Sequence, residues 1–391
     1  MLKYVSVLII TILTTSTIFA QSGEKGQSPN VINTAVPFLT IAPDARGGGM
    51  GDVGVSSSAD ATSLFWNPAK YAFIENRFGI QTSYVPWLRA LVEDIGLFSL
   101  FGYYKVNDKS TVAASLRYFS LGEVRFYDIN GGELGTFNPN ELAVDATYSR
   151  KFSEKISGAV AGRFIYSNLT QGQGGIDSYA GWSVAADAAF YYRQPIELMA
   201  ADGSTLSVGV NIINIGRKIT YTRQSGSESF IPTTLRFGPS YEVDVDRYNS
   251  IAVYLDISKL LVPTPPVYAR DENGQFIPDG DGFQIETGKN PNVSVFQGMI
   301  QSFYDAPGGF KEEMQELMWS FGAEYWYNKT FAIRGGYFLE HKYKGNRQYL
   351  GLGASIRYSM FDLGFSYIVP TNGQVSPQDN TLRFTLSINF Q

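Results

Sequence analysis

The chain ends in Thr381-Leu-Arg-Phe-Thr-Leu-Ser-Ile-Asn-Phe-Gln391, and this stretch decides the fold. Leu382, Phe384, Leu386, Ile388 and Phe390 alternate with Arg383, Thr385, Ser387 and Asn389. A strand pleats with a period of two, so one face is wholly apolar and the other polar. Ending in an aromatic beside the terminus, the pattern is that of a membrane β-strand closing a barrel, with one face for lipid and one for a polar lumen.

Upstream, alternating segments recur at about 77–85, 95–106, 110–119, 139–150, 155–167, 181–193, 204–215, 233–244, 249–258, 319–328, 329–339, 348–359, 360–369 and 380–390. Examples are Phe78/Ile80/Thr82/Tyr84 and Leu350/Leu352/Ala354/Ile356/Tyr358. The even number, fourteen, suits an antiparallel barrel, and the connections alternate in length. Short turns fall at Asn107-Asp108, Phe152-Ser153, Ala201-Asp202-Gly203, Asp246-Arg247, Asn328-Lys329 and Ser359-Met360, whereas the other set is longer, above all 259–318. Outer-membrane barrels keep short turns in the periplasm and long loops outside, and a soluble β-sandwich has no reason to alternate in this way. The expectation is an all-β, fourteen-stranded antiparallel transmembrane barrel over 77–391, with both termini periplasmic.

Composition agrees. Aromatic residues make up 15% of the chain and charged ones only 17%, below the soluble average of about 25%. The first 20 residues read as a secretory signal, with Lys3 at the positive end and an apolar run from Val5 to about Phe19. A membrane anchor is the competing reading, but the run is short for a spanning helix and polar residues follow at once. Without cysteine there is neither a disulfide framework nor a lipid-modified cysteine. The net charge of −5 makes nucleic acid an unsuitable partner.

Two parts do not read as barrel wall. Residues 21–76 are too long to dangle before the first strand and are expected to plug the lumen, with Arg46, Gly48, Gly49, Trp66, Asn67 and Pro68 packed inside. The connection 259–318 opens on apolar Leu260, Leu261, Val262, Pro263, Pro265 and Pro266 and then turns acidic and glycine-rich. Ser294 and Gln297 match a helix-capping box, followed by Phe296, Met299, Ile300 and Phe303 at helical spacing. After Pro307-Gly308-Gly309, Phe310, Met314 and Leu317 share one face and Glu312, Glu313 and Glu316 the other. Such apolar faces need burial, either over the chain's own barrel as a lid or against another protein. Leu260, Leu261, Val262, Pro263, Pro265, Pro266, Phe296, Phe303 and Phe310 are therefore the candidate partner-binding residues.

Catalytic and ligand-binding signals are thin. His341 stands in an outer loop beside Glu340 without an identifiable nucleophile. The run Gly47–Gly51 lacks the Gly-Lys-Ser/Thr of a phosphate loop. Asp271, Asn273, Asp279 and Asp281 miss the spacing of an EF-hand, so a solvated acidic loop is the simpler reading. No cofactor, metal or enzymatic activity is expected. Arginines at 117, 163, 236, 334, 357 and 383 recur inside strands, where facing lipid would cost roughly 2–4 kcal/mol. They fit equally a polar channel and a filled, hydrogen-bonded interior.

Four blocks carry a family resemblance. They are Asp44-Ala-Arg46-Gly-Gly-Gly-Met50-Gly51 with Trp66-Asn67-Pro68-Ala69; Lys259-Leu-Leu-Val-Pro263-Thr-Pro265-Pro266; Ser302-Phe-Tyr-Asp305-Ala-Pro307-Gly-Gly-Phe310; and Gly322-Ala-Glu324-Tyr-Trp326-Tyr-Asn328 with Arg334-Gly-Gly-Tyr337 and Lys344-Gly-Asn346-Arg347. In these the chain resembles the PorV (LptO) family of type IX secretion barrels, within the wider group similar to the fatty-acid transporter FadL. The resemblance implies a non-enzymatic protein in outer-membrane lipid. Its implied partners are a SprA (Sov)-like translocon barrel, the C-terminal signal domains of secreted cargo and a PorU-like attachment complex. The FadL likeness implies an alternative, a channel for hydrophobic small molecules. The terminal aromatic, Phe390, stands one residue earlier than is usual for such barrels.

Overall fold

The computed structural model describes residues 29–87, 94–127, 131–169, 178–197, 201, 203–223, 226–280, 282–373 and 381–390. The signal segment 1–20, Asp202, Asp281 and Gln391 lie outside the described residues.

Fourteen wall strands close into one barrel, each hydrogen-bonded antiparallel to the next in the chain and the last to the first. They are β1 Phe78–Pro86, β2 Ile95–Asn107, β3 Ser110–Leu121, β4 Asn140–Lys151, β5 Ile156–Asn168, β6 Gly181–Ile196, β7 Gly203–Gly216, β8 Thr234–Asp244, β9 Asn249–Leu260, β10 Met318–Tyr327, β11 Phe331–Leu339, β12 Gln348–Tyr358, β13 Phe361–Pro370 and β14 Leu382–Phe390. Each coincides with one expected segment, with ends within three residues. The period of two is what made them legible: Ile80, Tyr84 and Phe384 point outward, while Gln81, Ser83 and Arg383 are buried inside. Closure runs Phe78 opposite Phe390 through Tyr84 opposite Phe384. At the tight turn between β10 and β11, Asn328 and Lys329 both take left-handed φ, 54° and 51°, the conformation that matches strand twist in a two-residue hairpin. Three short pairings inside the long connections, such as Val124–Tyr127 with Glu133–Phe137, were not evident in the sequence.

The N-terminal segment fills the lumen. It begins at the long-connection end, where the Asn30 N–H donates to Tyr343 O and the Ala35 N–H to Phe230 O. Val36, Phe38, Leu39 and Ile41 then form a core with Val85, Leu97, Phe119 and Ile165 of the wall. Helix α1, Ala45–Gly49, lies against β11–β14, and helix α2, Ser63–Trp66, leads to a 3-10 turn, Pro68–Phe73, against β4–β6. The segment leaves at the short-turn end, where the Arg77 N–H donates to Phe390 O. The described chain therefore starts at the long-connection end and finishes at the short-turn end; residues 21–28, on which the expectation of two periplasmic termini turns, lie outside the described residues. A second apolar cluster, Leu64, Phe65, Trp66 and Tyr71 of the plug with Phe101 and Tyr103 of the wall, anchors the later part of the segment.

Around Arg163 and Arg236 the interior is filled and hydrogen-bonded, whereas a cavity remains toward the short-turn end. Arg163 is hydrogen-bonded to Asp145, Asp187 and Asn214, and Arg236 donates to Phe65 O of the plug, 3.0 Å away. Arg357, paired with Asp362, lines a polar cavity of about 1050 Å³ that opens at the short-turn end.

Candidate partner-binding platform

The connection from β9 to β10 builds a platform over the barrel's long-connection mouth. Its base is the proline-rich stretch after β9. Leu260 packs on Met318, Phe338, Tyr349 and Ile368, and Leu261, Val262, Pro263 and Pro266 are buried. The Thr264 N–H donates to Asp305 at 3.1 Å and its hydroxyl to Glu316 at 2.7 Å. Of these six candidates, Leu261, Val262, Pro263 and Pro266 are buried in the seat beneath the platform, and Leu260 and Pro265 are half-buried there. The reason is local: the wall at this mouth presents apolar side chains of its own, and the extended proline chain covers them.

Two helices stand on the seat. Helix α3, Val295–Gln301, starts at Ser294, whose hydroxyl accepts the Gln297 N–H, as the capping pattern implies. Helix α4, Phe310–Gln315, follows Gly309 at φ 67°. Its faces are reversed relative to the simple amphipathic expectation. Glu312, Glu313 and Glu316 are buried, whereas Phe310 is 80% exposed and Met314 44%. On α3 and just beyond it, Phe296 is 70% exposed, Ile300 66% and Phe303 52%.

Two distant lysines reverse the faces. Lys344 Nζ lies 2.6 Å from Glu312 and 2.9 Å from Glu316, and Lys259 Nζ lies 3.0 Å from Glu313 and also bonds Glu316. The Ala306 N–H donates to Glu313, and the Gly308 N–H to Glu312. Carboxylates enter an interior only with such partners. Burial alone would raise Glu312, but the hydrogen bond from Lys344 and the Gly308 N–H outweigh it and hold the carboxyl below its usual range. Asp305 has no lysine of its own; burial pushes it up to about 6, against the Thr264 N–H and with the Glu313 and Glu316 charges helping. The outcome is a set of large apolar side chains held toward solvent on a salt-bridged base.

The plug candidates all lie in the lumen. Trp66 Nε1 donates to Asp44 at 2.7 Å, Asn67 Nδ2 to Val55 O and Phe190 O, and Pro68 is buried. Gly48 abuts Arg383, and Gly49 abuts the backbone of Gly353. Arg46 bonds Glu324 at 2.8 Å and Asp60 at 3.1 Å, and Glu324 also takes Arg334 Nε at 2.7 Å. Sequence reading missed Glu324, Lys259, Lys344 and Asn30. Glu324, Lys259 and Lys344 stand in the blocks that carry the family resemblance, and Glu324 also had a local signal, a carboxylate at an inward parity position of β10.

The remaining candidates have structural roles. His341 Nδ1 accepts the Tyr343 N–H, and its carbonyl accepts from Lys344 and Asn346, shaping a turn. Asp271 accepts the N–H groups of Asn273 and Gln275. Among the described residues no group of three or more His, Cys, Asp or Glu is placed to hold a metal ion.

Solved structures of similar shape include the CymD monoaromatic hydrocarbon channel, 11% identical over 90% of this chain and 98% of that one, with a TM-score of 0.48. The Pseudomonas putida toluene transporter TodX is 10% identical over 93% and 98%, at 0.45. A Pseudomonas aeruginosa FadL homologue is 11% identical over 93% and 100%, at 0.43. No curated protein matches the chain significantly. The family model described as type IX secretion system protein PorV matches residues 24–267. With more than half of its length matched, the chain belongs to the PorV family of type IX secretion system proteins.

Proposed function

We propose that this barrel is a non-enzymatic outer-membrane component of the type IX system that binds the C-terminal signal domain of cargo at a SprA (Sov)-like translocon barrel and carries it to a PorU-like attachment complex. The long connections face the cell exterior and the C-terminus the periplasm, in keeping with the loop asymmetry of outer-membrane barrels. The observation that carries the reading is the outward apolar set Phe296, Ile300, Phe303 and Phe310 on a buried ionic base. Burying each such side chain against a partner contributes about 1.5–3 kcal/mol before the costs of association.

A channel for hydrophobic small molecules needs an apolar chamber, and the plug's own Phe38 and Leu39 occupy that part of the lumen. Replacing Phe296, Phe303 and Phe310 by serine tests the docking role without disturbing the seat. Loss of cargo and translocon from purified barrel, with the barrel still in the outer membrane, is the expected result. Unchanged recovery of both would defeat the proposal.

A further inference from the structure

We infer that Asn30 is the positioning residue of the aromatic platform, and that it works from an N-terminal strap, residues 30–35, that passes out through the lumen and staples the outer loops together. The inference deepens the docking role proposed above and rests on it for orientation. Asn30 ties three segments at once. Its Nδ2 donates to Pro265 O of the seat at 3.1 Å and to Glu312 Oε1 of α4 at 3.0 Å, and its backbone N–H donates to Tyr343 O at 2.9 Å. Glu312 is the same carboxylate that Lys344 holds, and Asn30 and Lys344 both donate to its Oε1, so the strap shares an acceptor with the ionic base.

The second fastening lies under α3. The Ala35 N–H donates to Phe230 O, and the Phe230 ring packs so close to Gly298 of α3 that an added Cβ there would stand 3.1 Å from it. Next comes Val36 at φ 48°, left-handed and buried. A β-branched residue is strained in that region, so tertiary contacts must hold it there. The turn redirects the chain from the mouth into the lumen, where Phe38 stacks on Phe119. A short strap thus connects plug and platform, and the direction in which the apolar set points is set partly from inside the barrel.

Two measurements test this. The chain has no cysteine, so Val31→Cys, at a position 40% exposed, supplies a unique thiol. Labelling by a membrane-impermeant maleimide on intact cells is expected; labelling only after the outer membrane is permeabilised would overturn the strap's outward path. In purified full-length protein, Asn30→Ala removes two donors, and Asn30→Asp also sets a second carboxylate beside Glu312. Hydrogen exchange across 295–316 should quicken about tenfold in the first and more in the second, with the wall strands unchanged. Equal exchange in wild type and both variants would refute the positioning role. Faster exchange with undiminished cargo recovery would leave the strap standing and sink the docking role instead, so the two failures are distinguishable.

Discussion

The ammonium of Lys344 lies 2.6 Å from Glu312 and 2.9 Å from Glu316, with all three side chains nearly closed to water. Removing the cation leaves Glu312 in a dry site with only the neutral donors Asn30 and Gly308, while Glu316 keeps Lys259 and the Thr264 hydroxyl; breaking the Glu312 pair one-sidedly costs up to about 3–5 kcal/mol. The variant Lys344→Met should therefore release α4 without unfolding the barrel, whose wall hydrogen bonds are untouched. Limited proteolysis near Lys311 would read this as fast cleavage in a protein that still runs as a folded barrel on a gel. Wild-type resistance would mean that the acidic face is held by something other than its lysines.

The platform should have a preferred pH window. Asp305 is raised to about 6 in the folded state, so the stability tied to its neutral form is present in acid and lost as pH rises through about 6. Glu312 is held below its usual range, so its contribution is present above the unfolded carboxylate value and lost as pH falls through the lowered one. Protection of 295–316 from exchange is accordingly greatest at roughly pH 4 to 4.5, falls by about 1 kcal/mol as the pH rises to about 6 once solvent screening is allowed for, and is level from there to pH 8. Asp305→Asn should flatten the alkaline side and leave the acid side alone. Protection that rises steadily toward pH 8 in the wild type would contradict the assignment.

The wall was legible because its rule is local. Leu382 to Phe390 announce their faces by parity alone, and the same alternation runs from Phe78 to Tyr84. The start of α3 was legible for a similar reason, since Ser294 and the N–H it caps are three residues apart. The platform was not. Whether Glu312 or Phe310 turns inward depends on Lys259 and Lys344, which the chain supplies from the end of one strand and the loop after another. A helical wheel carries no record of them. Apolar character likewise marked Leu261 and Val262 as needing cover, but only the neighbouring wall decides that the cover is intramolecular.

Close approach of plug and wall makes a paired test. An added Cβ at Gly336 of β11 would stand 2.0 Å from the carbonyl carbon and oxygen of Met50, which are backbone and cannot swing away. At neighbouring Gly335 nothing lies within 4 Å of the same added atom. Gly336→Ala should lower the unfolding midpoint in detergent by an amount corresponding to about 1–3 kcal/mol, and Gly335→Ala should leave it nearly unchanged. Equal effects would place the plug elsewhere in the lumen.

Glu324 holds the plug electrostatically. It accepts from Arg46 of the plug at 2.8 Å, from Arg334 of the wall at 2.7 Å and from the Tyr254 hydroxyl at 3.1 Å. Glu324→Met leaves two guanidinium groups short of an anion, and a loss of about 3–5 kcal/mol is expected on unfolding. Arg46→Met should cost less, because Glu324 keeps Arg334 while Asp60 loses its bond to Arg46. The informative variant carries both changes. Residues in one ionic network couple, so the double variant should be more stable than the sum of the single losses implies, by at least about 1 kcal/mol. Strict additivity would show that plug and wall do not meet through this carboxylate.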